Sequence, residues 1–273
     1  TITWSFADEK NNNSFRENIQ EVKIINPISS DLNVLRSSLY PNLILFLRKN
    51  IDRGFENQSL FEIGPLFVGK KPGQQITVIC GVRKENQLNI YDIKKDVVQT
   101  LVELGIDKNE TRISTNTPGY YHPGRSGSIM TKNNQKLLAY FGQIHPKIIG
   151  NTYGFEIFLE NLVQYKSQNK KDKPTINFSD YQKSERDFAF VVQKDFQAQD
   201  LLEIISNVDK SLVKNVKIFD VYEGENISKD KKSIALKVTI QSNFKTLNEK
   251  DLNKISQKII FNVEEKASAK LRS

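Results

Sequence analysis

The stretch RDFAFVV at residues 186–192, followed by FDVYEG at residues 219–224, decides the fold of the second half of this chain. Each stretch is a short apolar run that ends in polar residues, a pattern typical of buried strands. A helix is predicted between them, and a strand over 232–241 and a long helix over 248–269 are predicted after them. Residues 270–273 remain for a last strand. This βαββαβ order is typical of an antiparallel sheet that carries two helices on one face.

The opposite face of this sheet is predicted to be open and to carry polar and aromatic side chains. Asp220 and Tyr222 are two residues apart, so both are expected on the same face of their strand. The Tyr222 ring can stack on a base, and the Asp220 carboxylate can accept hydrogen bonds from N1–H and N2–H₂ of guanine. Ser233 begins the next strand and offers a hydroxyl, while Ala189 is small enough to let a base approach. These four residues form our candidate base site.

The charge of the chain favours a polyanionic partner, but only weakly. The formal net charge is +8 and the sequence pI is near 9.3. Residues 166–273 contain 21 Lys+Arg and 16 Asp+Glu, a larger excess than the 19 and 16 of residues 1–165. A proteome rich in lysine explains this excess equally well.

Four lysines are candidates for contact with RNA phosphates. Lys229, Lys231 and Lys232 are predicted to lie in the turn before the strand that Ser233 begins, and Lys245 is predicted in the next turn. The alternative for each of them is an ordinary solvated turn.

The first 165 residues mix long strands with flanking helices, which is an α+β pattern. Apolar residues at helical spacing predict one helix that begins near Pro41 and ends before Gly54, and another over 90–104. The predicted strands are Val22–Ile25, Leu60–Val68 with a Gly-Pro interruption, Ile76–Val82, Ser126–Met130 and Lys136–Ile144.

Residue types that carry chemistry are scarce. Cys80 lies in an apolar run, which predicts a buried strand residue, and two His with one Cys give no metal cluster. His122 and Arg125 could form an anion site, but the Pro-Gly between them favours a structural turn, with Arg125 hydrogen-bonded to carbonyls of the loop. His145, before Pro146, is predicted to be a turn or helix-start residue rather than a base. We therefore predict no catalytic residue and no metal ligand.

The sequence also predicts the location of the protein, a linker and a longer parent protein. No run approaches the roughly 18 apolar residues of a membrane-spanning helix, and no secretory signal is present, so we expect a cytoplasmic protein without membrane contact. The polar, lysine-rich segment 167–173 predicts a linker. The chain starts on TITWSF without an initiator Met, so we expect a piece of a longer protein.

Several stretches together resemble one family. RDFAFVV (186–192), FDVYEG (219–224) and KKSIAL (231–236) are similar to the ferredoxin-fold anticodon-binding domain that ends the β subunits of bacterial phenylalanine–tRNA ligases. Four earlier stretches of this chain are similar to the segment that precedes this domain in the same subunits. They are NPISS (26–30), LRSSLYP (35–41), LFEIG (60–64) and HPGRS (122–126). These matches follow one another in order along nearly the whole chain.

The resemblance implies an α+β fold in two parts. A class II synthetase-like antiparallel-sheet module is expected over 1–166, a linker or arm over 167–178 and a ferredoxin-like anticodon-binding domain over 179–273. Neither part is expected to need a cofactor in this chain, whereas the whole enzyme of the family uses ATP and Mg²⁺ at its α subunit.

The first module is expected to be non-catalytic. Catalytic class II members place one arginine after the strand that LFEIG resembles and a second near the end of the module, where they neutralise the phosphates of ATP. Here residues 68–71 are VGKK, and neither FGQIHP (141–146) nor NTYGFE (151–156) supplies the second arginine.

The resemblance also implies partners. In this family the non-catalytic module docks on the α subunit of an α2β2 heterotetramer, and the helix 41–50 with the segment before it is the candidate interface; core packing is the alternative for its apolar residues. Ala189, Asp220, Tyr222 and Ser233 match the positions that the family uses at the first anticodon base of phenylalanine tRNA, a guanine. The second domain is thus expected to bind the anticodon while phenylalanine is attached to the tRNA.

Three alternatives remain at this point. An RNA-recognition motif acting alone would carry paired aromatic residues on its central strands, where this chain has mainly aliphatic ones. A ferredoxin-like regulatory domain that binds a metabolite would need no basic turn. A catalytically competent class II enzyme would need the missing arginines.

Overall fold

The computed structural model describes residues 1–15, 20–132, 135–168, 178–225 and 227–272. The chain divides into two compact units, Thr1–Asp172 and Lys173–Ser273. Most of the predicted linker, residues 169–177, and the tip of the predicted hairpin, residues 133–134, lie outside the described residues.

The first unit is built on a six-stranded antiparallel sheet of order β4-β5-β9-β8-β7-β6 and a small sheet of order β1-β3-β2. Its strands are β1 (Phe6–Ala7), β2 (Val22–Lys23), β3 (Val34–Leu35), β4 (Gln58–Phe67), β5 (Gln75–Lys84), β6 (Thr111–Ser114), β7 (Tyr121–Thr131), β8 (Leu137–Ile144) and β9 (Tyr153–Phe158). Its helices are α1 (Glu9–Asn13), α2 (Tyr40–Asp52), α3 (Ile90–Glu103) and α4 (Leu159–Gln168).

The central strands of the large sheet are covered on both faces, because two helices contribute apolar residues from opposite sides, whereas Phe61 and Ile63 of the edge strand β4 are more than half exposed. Leu43 and Leu47 of α2 pack in one core with Val78, Cys80 and Val82 of β5. A second core lies on the other face of the sheet. Its helical residues, from α3, are Ile93, Val97 and Leu101, and its strand residues include Ile79, Ile129, Leu138, Phe141 and Ile157. The predicted helices 41–53 and 90–104, the central strand at 76–82 and the burial of Cys80 are confirmed.

The edge strand β4 differs from its prediction. The expected Gly-Pro interruption is wrong, since β4 runs through Gly64 and Pro65 and keeps its register with β5. Pro65 is tolerated because proline in a sheet is compatible with an edge strand, where a missing N–H leaves no ladder bond unmade. On the outer side of β4, Arg36 Nε donates to the Pro65 carbonyl (3.0 Å) and the Phe67 N–H donates to the Arg36 carbonyl (3.0 Å).

Strand β7 also differs from its prediction. His122, Pro123 and Gly124 lie inside this strand, and the pairing with β8 shifts register between Tyr121 and Ser126. The predicted turn is therefore a bulge in a long strand. Strands β6 and β9 were not predicted, since their short runs lack a clear apolar alternation.

The second unit has the predicted βαββαβ order. Its elements are β10 (Ser184–Gln193), α5 (Ala198–Ser206), β11 (Val213–Tyr222), β12 (Lys231–Ile240), α6 (Glu249–Ala267) and β13 (Lys270–Leu271). The strands form an antiparallel sheet of order β11-β12-β10-β13. The helices pack on one face, where they bury Phe188, Phe190, Val192, Leu201, Ile205, Ile234, Leu236, Ile255, Ile259 and Val263. The ferredoxin-like architecture is thus confirmed.

Candidate nucleic-acid interface

The open face of the second sheet is defined by strand alternation. In β10 the buried residues Phe188, Phe190 and Val192 point to the helices, so Ala189 and Val191 point to the other side. In β12 the same rule places Ser233, Ala235, Lys237 and Thr239 on that other side. We call this side, with the β11 residues paired to it, the open face.

A β-bulge decides which residues of β11 join the open face. Ile218 pairs with Leu236 and Asp220 pairs with Ala235, so Phe219 is an extra residue without a partner. Regular alternation from Ile218 would have placed Asp220 on the helix side. The bulge resets the alternation, and both Asp220 and Tyr222 therefore lie on the open face.

Two rows of cross-strand neighbours form the site. In one row Asp220 pairs with Ala235 and Ala235 with Ala189. In the next row Tyr222 pairs with Ser233, Ser233 with Val191 and Val191 with Lys270. The structure thus brings the four predicted residues, Ala189, Asp220, Tyr222 and Ser233, onto one surface. The floor between them includes Ala235, which sequence analysis missed.

The Tyr222 ring is held in place by its own turn. Its hydroxyl donates to the Glu225 carbonyl at 3.1 Å. The ring also occupies the space where a Cβ on Gly224 would lie, since that Cβ would come within 2.6 Å of the Tyr222 hydroxyl oxygen and 2.8 Å of Cζ. The side chain remains 37% exposed. The glycine of the FDVYEG stretch is therefore needed for this ring position.

Ser233 is less accessible than predicted. It is only 2% exposed, although the helices lie on the other side of the sheet. Its cover must come from side chains on the open face. A base edge can reach its hydroxyl only after those side chains move.

The candidate phosphate-binding lysines do not form one group. Lys231 and Lys232 belong to β12, so their predicted place in the turn is wrong, while Lys229 is exposed in that turn. Lys231 pairs with Gln193 on the open side, whereas Lys232 pairs with Val192, which faces the helices. Lys245 lies beyond the other end of β12 and forms an ion pair with Asp251 (2.7 Å). It is not part of the base site.

Several other charges of the second unit form ion pairs. Lys237 forms an ion pair with Glu185 (3.1 Å), which raises the pKa of the Lys237 ammonium. Lys194 contacts Glu223 at 2.8 Å and lowers the pKa of that carboxyl. Arg186 binds both carboxylate oxygens of Glu249, at 3.0 and 2.8 Å, in agreement with a structural role.

The first unit contains a buried ion pair. Arg36 and Glu62 are each 2% exposed, and Arg36 Nη1 donates to Glu62 Oε1 at 2.8 Å and to the Thr3 hydroxyl, also at 2.8 Å. Because this guanidinium is buried and is bonded through Nε and Nη1, it is not available to bind phosphate.

A buried carboxyl lies in the same unit. Glu156 of β9 is 2% exposed, and its Oε2 accepts from the hydroxyls of Tyr120 (2.8 Å) and Tyr121 (3.4 Å). Burial raises the pKa of this carboxyl from its ordinary 4.5 to about 7, although the hydroxyl donors Tyr120, Tyr121 and Ser38 act in the opposite direction. Tyr40 completes the cluster through a 2.5 Å hydrogen bond between its hydroxyl and that of Tyr121.

Each histidine accepts a hydrogen bond from a nearby backbone N–H. His122 Nδ1 accepts from the Gly124 N–H (3.0 Å), and His145 Nδ1 accepts from the Lys147 N–H (3.2 Å). Arg125 contacts the Gln143 side-chain oxygen (3.2 Å) rather than the predicted carbonyls. Within the described ranges, no group of three His, Cys, Asp or Glu residues could hold a metal ion, and no helix is both long and apolar enough to cross a membrane.

Comparison with known proteins places the chain in a family. The model of the phenylalanyl tRNA synthetase beta chain CLM domain matches residues 1–157, and that of the ferredoxin-fold anticodon binding domain matches residues 179–272. The phenylalanine–tRNA ligase beta subunit of Paramagnetospirillum magneticum is 36% identical over the whole chain, and that of Bartonella quintana is 32% identical over 99% of it. Among solved structures, a pyrrolysyl tRNA synthetase of Desulfitobacterium hafniense covers 62% of this chain and 63% of its own at 17% identity and a TM-score of 0.49.

The chain spans 36% of the length of these beta subunits. More than half of it matches the CLM domain model, and the anticodon-binding match follows in the order that the sequence predicted. This chain therefore belongs to the phenylalanyl tRNA synthetase beta chain family.

Proposed function

We propose that the second unit binds the anticodon loop of phenylalanine tRNA through the open face of its sheet, and that the first unit supports a catalytic α subunit. The assembly would be an α2β2 heterotetramer in the cytoplasm that attaches phenylalanine to its tRNA. The observation that carries the proposal is the placement of a stacking ring, a carboxylate and a floor of alanines on one open surface. The two alternatives, a stand-alone RNA-binding module and a regulatory ligand-binding domain, are not favoured by membership of this family.

Asp220 would determine the base. Its exposed carboxylate is acceptor-only, so it matches the N1–H and N2–H₂ donors of guanine but neither N1 of adenine nor O4 of uracil, which are themselves acceptors. Tyr222 would stack on the base whatever its identity. By analogy with base-edge contacts in grooves, the carboxylate should discriminate by about 1–3 kcal/mol.

Binding of anticodon stem-loops to the 273-residue chain tests this role. The unmodified chain should prefer a loop with guanine at the first anticodon position over one with adenine. Asp220→Ala should lose most of that preference. Glu185→Ala is the matched control, because Glu185 is also an exposed carboxylate and pairs with Thr239 at the other end of the open face. A full preference for guanine in Asp220→Ala, with an unchanged circular dichroism spectrum, would refute the assignment.

The first unit offers helix α2 to an α subunit. Leu43 and Leu47 are fully buried, whereas Leu45 and Phe46 of the same helix are 45% and 41% exposed. Exposed apolar residues on a helix are typical of an interface. Leu45→Asp together with Phe46→Asp should abolish co-purification of the α subunit, while Tyr91→Asp, at an exposed aromatic residue of α3, should not. Retention of the α subunit by the double variant would exclude this face of α2.

The residues of the first unit do not fit ATP. Val68–Lys71, after β4, contain no arginine, and Arg36 is held in its buried ion pair with Glu62. ATP and Mg²⁺ would thus act at the α subunit of the whole enzyme. The purified chain should show no phenylalanine-dependent ATP–pyrophosphate exchange. Exchange that increases with the chain and persists without any α subunit would contradict the supporting role.

A further inference from the structure

A cationic side chain that the proposed base site does not include lies above it. The backbone N–H of Arg272 donates to the Ala189 carbonyl at 2.7 Å, which fixes Arg272 beside β10. Since Lys270 and Leu271 pair with Val191 and Phe190, the strand direction places Arg272 in the row of Ala189, on the open face. Its guanidinium carbon lies 5.3 Å from the centroid of the Tyr222 ring.

This contact spans the whole sheet. Tyr222 belongs to β11 and Arg272 follows β13, and these are the two outermost strands. Four adjacent strands extend over about 14 Å. The two side chains can meet only if both reach across the open face, over β12 and β10. Ala189 and Ala235 leave space for this, and the low exposure of Ser233 agrees with a cover of this kind.

The contact leaves too little space for a base. Stacked rings are separated by about 3.5 Å, so a base held between two planar groups needs about 7 Å between them. The observed 5.3 Å therefore requires the guanidinium to move before a base can stack on that side of Tyr222. Arg272 is exposed, so nothing buried has to rearrange when it moves.

We propose that Arg272 is the second wall of the base site: it rests on Tyr222 in the RNA-free protein and stacks on the outer face of the bound base. This inference rests on the proposed function. A guanidinium suits both positions, because it is planar, weakly hydrated and able to stack on aromatic rings and bases alike. Its displacement would also uncover Ser233, whose hydroxyl is then free to contact the base.

The test uses the 273-residue chain and an anticodon stem-loop that carries, at the first anticodon position, an emissive guanine analogue with an intact Watson–Crick edge. Binding to the unmodified chain should quench the emission through stacking. Arg272→Ala should weaken binding by about five- to fiftyfold, as expected for the loss of one stacking contact, and should lose part of the quenching. Arg272→Lys should keep the salt dependence but show a similar loss of quenching, because an ammonium group is not planar. Lys270→Ala, a neighbouring cation on the same face, should change the salt dependence and leave the quenching intact.

The outcomes separate this role from its alternatives. If Arg272→Lys equals the unmodified chain in affinity and quenching, Arg272 acts only as a charge and the second-wall role is overturned. Unchanged binding by Arg272→Ala overturns it as well. If the folded, unmodified chain does not bind the stem-loop at all, the anticodon-binding proposal itself fails and this inference fails with it.

Discussion

The two large sheets of this chain differ in the burial of their polar side chains. The central strands of the six-stranded sheet are covered on both faces. Two of its charged groups, Glu62 and Glu156, and Arg36 beside its edge are buried and bonded to one another or to hydroxyls. The four-stranded sheet is covered on one face, and Asp220 and Tyr222 remain exposed on the other. Polar groups of the first sheet therefore contribute to stability, whereas those of the second are available for binding. Changes in the first should be seen in unfolding, and changes in the second in affinity.

The largest expected effect is on the buried ion pair. Arg36→Ala leaves the Glu62 carboxylate buried without its cation, and should destabilise the first unit by about 3–5 kcal/mol. Urea unfolding followed by circular dichroism, together with fluorescence of the single tryptophan, Trp4, measures this change. Arg186→Ala is the matched control, since its partner Glu249 is 76% exposed and such pairs contribute less than about 1 kcal/mol. If Arg36→Ala and Arg186→Ala lower the free energy of unfolding equally, the proposed difference in stability between buried and exposed charges is contradicted.

A pH dependence should follow from Glu156. Its pKa in the folded chain is about 7, above the ordinary 4.5, so the folded state binds the proton more tightly than the unfolded state does. The associated stability is fully present below about pH 4.5 and is lost as the pH rises through about 7, by roughly 3 kcal/mol. Unfolding of the unmodified chain between pH 5 and 8 should show this loss, and Glu156→Gln should flatten it. A slope that persists in Glu156→Gln would assign the dependence to other groups.

The next effect concerns the second sheet and should leave stability nearly unchanged. Gly224→Ala places a methyl group where the Tyr222 ring lies, so the ring must move. Affinity for the anticodon stem-loop should fall as in Tyr222→Ala, by up to about 1–3 kcal/mol. Gly150→Ala is the control, because a Cβ there meets nothing within 4 Å. Normal affinity in Gly224→Ala would show that the ring position is not used for binding.

The smallest effect separates two adjacent lysines. Lys231 is on the open face of β12 and Lys232 on the other, so only Lys231→Ala should reduce the salt dependence of RNA binding. The slope of log K against log salt should fall by about 0.7 for one lost phosphate contact on a single strand. If Lys231→Ala and Lys232→Ala reduce the salt dependence equally, the RNA phosphates lie at the end of β12 rather than over its open face.

The sequence predicted the parts of the fold that depend on local pattern. The alternation in β10 and the helical spacing in α3 are visible within ten to fifteen residues, and the βαββαβ order follows from them. Asp220 and Tyr222 are two residues apart in one strand, and this spacing is sufficient to predict that both side chains lie on the same face of the sheet. Which face they share depends on the bulge at Phe219, and no local rule places a bulge there.

Contacts between distant residues could not be predicted. Arg272 reaches Tyr222 only because β13, a strand of two residues, pairs with the far edge of the sheet. Glu156 is surrounded by tyrosines that precede it by more than 30 residues, so its burial has no signature in its own neighbourhood. The roles of Ala189, Asp220, Tyr222 and Ser233 in binding remain predictions that the stem-loop measurements address.

The blocked outer side of β4 has a consequence for how this protein behaves at high concentration. An uncovered edge strand can pair with the edge of another molecule and start aggregation. Along β4 the Phe61 carbonyl accepts from the Thr1 hydroxyl (3.1 Å), the Pro65 carbonyl accepts from Arg36 Nε, and the Phe67 N–H donates to the Arg36 carbonyl. Pro65 itself has no N–H to offer a neighbour. Arg36 thus blocks this edge with both its side chain and its backbone carbonyl. Loss of the side chain frees the Pro65 carbonyl and should therefore favour association between sheets before the chain has fully unfolded.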